Sequence, residues 1–163
     1  MGASPAGSLP EQVHRCFFQD DPEAGGKQRE EANVRLVRDM YESILRGDFN
    51  AIVERFTEDV EWEVIGPAEL PFCGRVRGRR EAASTLRRNF SGYQHIQATV
   101  RAVVAQGNLV VVMCRETVRL EPLEEPVEVE WVQVFTIVNG QLAKFRQFFD
   151  TLTMKRVVER IVG

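Results

Sequence analysis

VEVEWVQVFTIVNGQLAKFRQFFD, residues 127–150, is a pair of alternating apolar and polar runs around Asn139-Gly140. An Asn-Gly pair between two alternating runs is the strongest short-range signal of a β-hairpin, because both residues accept the positive φ of a tight turn. Side chains alternate across a strand, so if Gln133 faces an interior, Val129, Trp131, Phe135 and Ile137 face it too. The same argument groups Gln147 with Ala143, Phe145 and Phe149. The interior so formed is aromatic and carries two amides. Asp150 then stands where a carboxylate can cap a last helix, Thr151 to Val162, whose apolar positions are Leu152, Val157, Val158 and Ile161.

Upstream, Ile96 to Gln106 and Leu109 to Leu120 read as two more strands joined at Gly107-Asn108, giving a four-stranded antiparallel meander. Helical spacing governs the stretch before it. Val34, Val37, Met40 or Tyr41, Ile44 and Leu45 recur on one face from Gln28 until Gly47 stops the run. Asp48 can cap a second, shorter helix in which Phe49, Ile52, Val53 and Phe56 share a face. Val60, Trp62 and Val64 alternate with Glu61 and Glu63 as a strand. A long loop from Ile65 to Gly78 follows, of a length often used for lids or binding segments. A third helix carries Ala82, Thr85, Leu86 and Phe90 inward and ends near Ser91-Gly92. Residues 1–27, rich in proline and glycine and without a period, read as a flexible tail ahead of one domain, 28–163.

Composition narrows the classes. The chain has 163 residues, 44% of them hydrophobic and 28% charged, and a formal charge of −3, so it is expected to fold as one globular domain with no pull toward phosphate backbones or anionic lipid. Nucleic acid and membrane are therefore not expected partners, and a cytoplasmic location is the default expectation. Cys16, Cys73 and Cys114 have no C-x-x-C spacing and only His14 and His95 accompany them, so no metal or other cofactor is expected. Arg75, Arg77, Arg79, Arg80, Arg87 and Arg88 crowd together, but helix and loop spacing scatters them over a polar face.

The element order, together with F-x-x-x-V-E-W-x-x-x-G-P (56–67), E-L-P-F-C-G-x-x-x-G (69–78) and N-G-x-L-x-x-F-R-Q-F-F-D (139–150), resembles the SnoaL-like, ketosteroid isomerase-like branch of the nuclear transport factor 2-like superfamily. The resemblance spans about residues 30–160. It implies an α+β fold of the cystatin-like barrel type: a cone-shaped, curved, mostly antiparallel sheet wrapped by N-terminal helices, with a C-terminal helix. The first helix, the first strand and the concave sheet face would line a pocket. The superfamily contains isomerases, polyketide cyclases, epoxide hydrolases and non-catalytic binding or dimerisation domains, so the fold alone selects no function.

The chemistries that the resemblance implies can be carried over residue by residue. A ketosteroid isomerase uses a carboxylate base and an oxyanion site of a Tyr and a protonated Asp. Aligned on Gly47-Asp48 and Phe56-x-x-Asp59, the tyrosine position falls on Met40, with Tyr41 adjacent, the base on Val64 and the Asp on Gln133. A limonene-epoxide hydrolase carries W-R-D-Y-F-D where this chain has Phe145 to Asp150, so its catalytic carboxylate becomes Gln147. Its earlier Arg-x-Asp compares with Arg115-Glu116-Thr117 across one gap, or with Cys114-Arg115-Glu116 without one. Amides hydrogen-bond but do not titrate, so the acid/base pair of either mechanism is incomplete.

The expected pocket lining is Met40, Tyr41, Trp62, Val64, Phe72, Met113, Arg115, Trp131, Gln133, Phe135, Phe145 and Gln147, with no catalytic residue assigned. Two functions fit. One is a small-molecule pocket protein that binds an apolar metabolite, with isomerase, cyclase or hydrolase chemistry if it is an enzyme. The other is a non-catalytic homodimerisation or interaction domain with a filled core. On the opposite sheet face, Val110, Val112, Cys114, Val118, Val132, Val134 and Phe148 are too apolar for plain exposure, which predicts a homodimer through that face.

Overall fold

The computed structural model of the protein describes residues 26–90, 94–120 and 123–162. Residues 1–25 of the expected tail and the end of the third helix at Ser91-Gly92 fall outside these residues, while Lys27, expected as the last residue of the tail, opens the first helix. Helix α1 (Lys27–Leu45) and the short α2 (Phe49–Val53) precede β1 (Phe56–Val64), β2 (Gly74–Arg77), α3 (Arg79–Phe90), the strands β3 (Gln94–Gln106), β4 (Leu109–Arg119), β5 (Val127–Val138) and β6 (Gln141–Phe149), and finally α4 (Thr151–Val162).

Local chemistry accounts for the turns. Gly47 takes φ 68°, and its N–H and that of Asp48 donate to the carbonyls of Ile44 and Ser43, closing α1 with the left-handed glycine cap that a side chain would strain. Asp48 accepts from the Ala51 N–H and starts α2. Asn139 and Gly140, at φ 50° and 74°, turn β5 into β6. At the other hairpin, Asn33 donates to the Gly107 carbonyl and Glu30 accepts from its N–H, tying α1 to the β3–β4 turn.

One six-stranded sheet runs in the order β2-β1-β6-β5-β4-β3, antiparallel throughout except that β1 lies parallel to β6. The α+β fold, its curved open sheet, its N-terminal helices and its C-terminal helix are as the resemblance implied. Two local expectations differ. The segment Ile65–Gly78 is not all loop, because Gly74–Arg77 pairs with β1 as an edge strand of only four residues, too short to leave a period in the sequence. Phe56 opens β1 rather than closing α2, and a register shift before Glu61 hides the alternation there.

Val37, Met40, Ile52, Ala82 and Leu86 from the helical side pack against Phe56, Val60, Val110, Val112, Ile137, Leu142 and Phe145 from the sheet. A smaller cluster of Val118, Val127 and Val157 seats α4 against the other end of β4 and β5. Within α4 the inward stripe is Met154, Val157 and Ile161. Leu152, expected inward, is 58% exposed, since the cap at Asp150 sets the helix phase and turns it outward.

Candidate functional site

Between α1 and the concave face of the sheet lies a cavity of about 280 Å³. Val37, Met40, Tyr41 and Ile44 of α1 form its roof, and Trp62 and Val64 of β1, Trp131, Gln133 and Phe135 of β5, and Phe145, Gln147 and Phe149 of β6 form its floor. Phe72 of the β1–β2 segment, Phe90 of α3 and Met154 of α4 add to the rim of the lining. Aromatic contacts stiffen the wall: Trp62 stacks on Phe145 at 3.9 Å, Phe145 meets Phe135 edge-on at 5.3 Å, and Tyr41 lies along Trp131 at 6.3 Å. These rings pack beside the space rather than into it.

The polar groups are few, and most are joined, although Trp62 Nε1 is buried without a hydrogen-bond partner. The Tyr41 hydroxyl donates to Gln133 Oε1 at 2.5 Å, and Gln133 Nε2 donates to Gln147 Oε1 at 2.9 Å. Register makes this pairing possible, because Gln133 and Gln147 are direct partners across β5 and β6, and Val64 is the parallel partner of Gln147. Burial holds the Tyr41 hydroxyl far above its ordinary pKa, with Cys114 and Glu116 adding to the effect, so the phenol stays neutral and acts as a donor. A second pair stands further along the wall, where Trp131 Nε1 donates to Glu116 Oε2 at 2.9 Å.

Ten of the twelve residues expected on the lining stand on the cavity wall. Met113 and Arg115 do not, and this is a correction. β4 pairs Val112 with Gln133, Cys114 with Trp131 and Glu116 with Val129, and residues paired across a ladder share a face. With Trp131 and Gln133 inward, Val112, Cys114 and Glu116 are inward, while Met113 is 46% exposed and Arg115 reaches Glu130 at 2.8 Å and Glu128 at 3.3 Å on the outer side. Alternation within β4 groups Val110, Val112, Cys114 and Val118 on its more apolar face, but alternation alone does not say which face meets the cavity, and the pairing with β5 decides it. Ala143 also leaves the inward set, because a register shift between Thr136 and Ile137 brings Leu142 opposite Ile137 in its place.

This inversion adds two wall residues that sequence reasoning missed, Cys114 and Glu116, and it fits the ungapped comparison of Cys114-Arg115-Glu116 with Arg-x-Asp. Burial pushes the Cys114 thiol up to about 11, the behaviour of an inert core cysteine. Among the described residues no group of His, Cys, Asp and Glu is placed to hold a metal, and no helix is long and apolar enough to cross a membrane. The arginine-rich stretch is spent on ion pairs and hydrogen bonds: Arg75 with Glu61, Arg77 with Asp59, Arg79 with Glu58, Arg80 with Glu81 and Arg87 with Asn50. On the outer face Glu61 also meets Lys144, and Glu63 meets Arg146. Of the seven apolar residues expected there, Val110, Val112, Cys114 and Val118 are buried on the inner side by the same inversion.

Comparison with known proteins places this geometry. A SnoaL-like domain family matches residues 37–145, well over half of the chain. No curated protein matches the sequence significantly. An NTF2-like protein from Burkholderia xenovorans is 27% identical, with a TM-score of 0.67 over 78% of this chain and 95% of that one. An LEH-like epoxide hydrolase from M. tuberculosis is 22% identical, with a TM-score of 0.65 over 82% and 94%. A protein assigned as a SnoaL-like polyketide cyclase from a Jannaschia species is 23% identical, with a TM-score of 0.67 over 88% and 97%. At these last two identities the likeness shows the fold. From the matched residues and the shared architecture, the chain belongs to the SnoaL-like domain family, whose fold is consistent with a ligand-binding or isomerase-type protein.

Proposed function

We propose that this protein binds an apolar small molecule in the space between α1 and the sheet. The observation that carries it is an aromatic cavity of about 280 Å³ left open over a short polar chain, Tyr41 to Gln133 to Gln147, which is the usual composition of a small-molecule site. A domain built only for association gains stability by filling such a space. Each unfilled methylene-sized gap costs on the order of 1 kcal/mol.

The site supports one acid/base group. Glu116 is the carboxyl group lining the cavity among the described residues, and Val64 and Gln147, side by side on β1 and β6, occupy the positions where the family comparison sets titratable groups. Chemistry that needs a base and an acid on opposite sides of the substrate is therefore disfavoured, and a single proton transfer through Glu116 is the reaction that the wall can support.

A thermal-shift screen against steroids, polyketide-like aromatics, terpenoid epoxides and fatty acids tests this reading, with Trp62 and Trp131 fluorescence as a second readout. A bound class raises Tm as its concentration exceeds Kd, and Val64→Trp, which fills the floor, abolishes the shift. Silence across all classes would move the assignment to a non-catalytic association domain.

On the outer face, Met113, Val132 and Phe148 form one cross-strand row, an apolar strip among the ion pairs that favours pairing of two copies there. Light scattering at micromolar concentration is expected to give the dimer mass. A monomer removes the pairing and leaves the pocket reading intact.

A further inference from the structure

The hydrogen-bond chain on the cavity wall has a direction and an unused end. The Tyr41 hydroxyl donates to Gln133 Oε1 and Gln133 Nε2 donates to Gln147 Oε1, so the chain ends on Gln147 Nε2, a group that can only donate. Among the described residues nothing accepts from that amide, which is half-buried on the wall with Val64 beside it on β1 and with Phe145 and Phe149 on either side along β6. A second donor in the same wall is also unmet: Trp62 Nε1, buried without a partner, belongs to the residue two before Val64 on β1.

The charges of the wall point the same way. Among the described residues no lysine, arginine or histidine lines the cavity, and Arg115 turns outward to Glu128 and Glu130. The carboxyl group of the wall, Glu116, is engaged by the Trp131 indole. An ionised ligand carboxylate would lose its hydration there with no cation to pair with, which costs far more than burying a neutral oxygen. A neutral acceptor instead gains a donor that is otherwise unpaired in an apolar setting.

We propose that Gln147 selects the occupant of the cavity: an apolar molecule whose neutral carbonyl or ether oxygen accepts from Gln147 Nε2, with ionised carboxylates excluded. This rests on the cavity being a ligand site, and it adds the residue that sets specificity and the chemical class admitted. Gln133 and Tyr41 act through Gln147, fixing which way its amide faces, and are positioning residues.

Three probes built on one apolar body test this by equilibrium dialysis at neutral pH: 2-acetylnaphthalene, with a neutral carbonyl, 2-isopropylnaphthalene, with an apolar group of the same shape, and 2-naphthoate, which is ionised. The wild-type protein is expected to bind the ketone at least about a hundredfold tighter than the carboxylate. Gln147→Leu is expected to weaken the ketone about tenfold and to leave the hydrocarbon within about twofold. If stranding the Gln133 amide makes that variant fold poorly, Gln147→Glu keeps an acceptor for Gln133 Nε2, removes the donor and gives the same selective loss. Tyr41→Phe, which leaves the Gln147 donor in place, is expected to change ketone binding less than about threefold. A carboxylate bound as tightly as the ketone, Gln147 variants that weaken ketone and hydrocarbon alike or leave both unchanged, or a tenfold loss with Tyr41→Phe alone overturns selection by Gln147 while leaving an apolar pocket. No binding by any probe overturns both.

Discussion

The two halves of β5 share one strand and one concave face, yet they do different things. At Ile137 its inward side chain meets Leu142, both at most 1% exposed, in a close-packed apolar end, with Phe135 and Phe145 at the boundary with the cavity. From Val129 to Gln133 the inward side chains meet Glu116, Cys114 and Gln147 around an open cavity. The backbone geometry is common to both, so side-chain chemistry separates them: apolar groups gain by closing space, whereas linked amides and a carboxyl group hold their hydrogen bonds only where room and orientation remain. Stability should reside at the first end and recognition at the second.

The largest test of that contrast is at the closed end. Phe56 is fully buried and tilts against Trp62, and Phe56→Ala is expected to cost about 3–5 kcal/mol in urea unfolding. A loss below about 1 kcal/mol would mean that the closed end does not carry the fold.

At the open end the expected pattern is non-additive. Gln133→Leu strands the Tyr41 hydroxyl and the Gln147 amide and should cost about 1–3 kcal/mol, while the triple variant Tyr41→Phe, Gln133→Leu, Gln147→Leu removes the whole chain and should return to within about 1 kcal/mol of wild type. If the single variant is already neutral, the amides are passive filling and the contrast weakens.

Cys114 gives a pH-dependent version of the same comparison. Burial raises its pKa from 9.0 to about 11, so the folded state keeps a proton that the unfolded thiol releases. Its contribution is fully present below about pH 9 and is lost as pH rises toward 11, and Cys114→Val should flatten that segment of the stability profile. In the native protein at pH 8 the same shift lowers the thiolate fraction about a hundredfold, so alkylation should be slow by that factor.

The smallest effects belong to residues outside both ends. Asp150 accepts from the Thr153 hydroxyl and from the Thr153 and Leu152 N–H groups, which holds its carboxyl below the ordinary value. Its capping contribution is present above that ordinary value and fades as pH falls through the lowered one, so Asp150→Ala should slightly lower Tm at neutral pH and less in acid. Arg115→Ala, on the outer face among Glu128 and Glu130, should leave the thermal shift given by a bound ligand unchanged. A loss of binding there would contradict the inward assignment of Cys114 and Glu116.

Much of this arrangement was legible in the residues. The hairpin at Asn139-Gly140, the caps at Asp48 and Asp150 and the inward stripe of α3 follow from turn and capping chemistry local to a few residues. The inward phase of β5 is also local, because Trp131, Gln133 and Phe135 lie on one face once the strand is granted. β4 shows where that reasoning stops. Its phase relative to β5 depends on register, and the connection between them, residues 120–126, is too long for a tight turn to transmit it. A one-residue slip exchanges Arg115 for Glu116 and turns a pocket with a cation into one with a carboxyl group.

The sequence by itself determined the family, the order of helices and strands and the aromatic character of the interior, since periodicity, turn residues and composition act over short stretches of chain. Only the tertiary structure decided that Glu116 rather than Arg115 meets the cavity, that Gln133 and Gln147 bond to each other and to Tyr41, and that the rings leave space between them. Each of these depends on which residues of distant strands and helices are brought opposite one another, a property of pairing and packing that no single segment encodes.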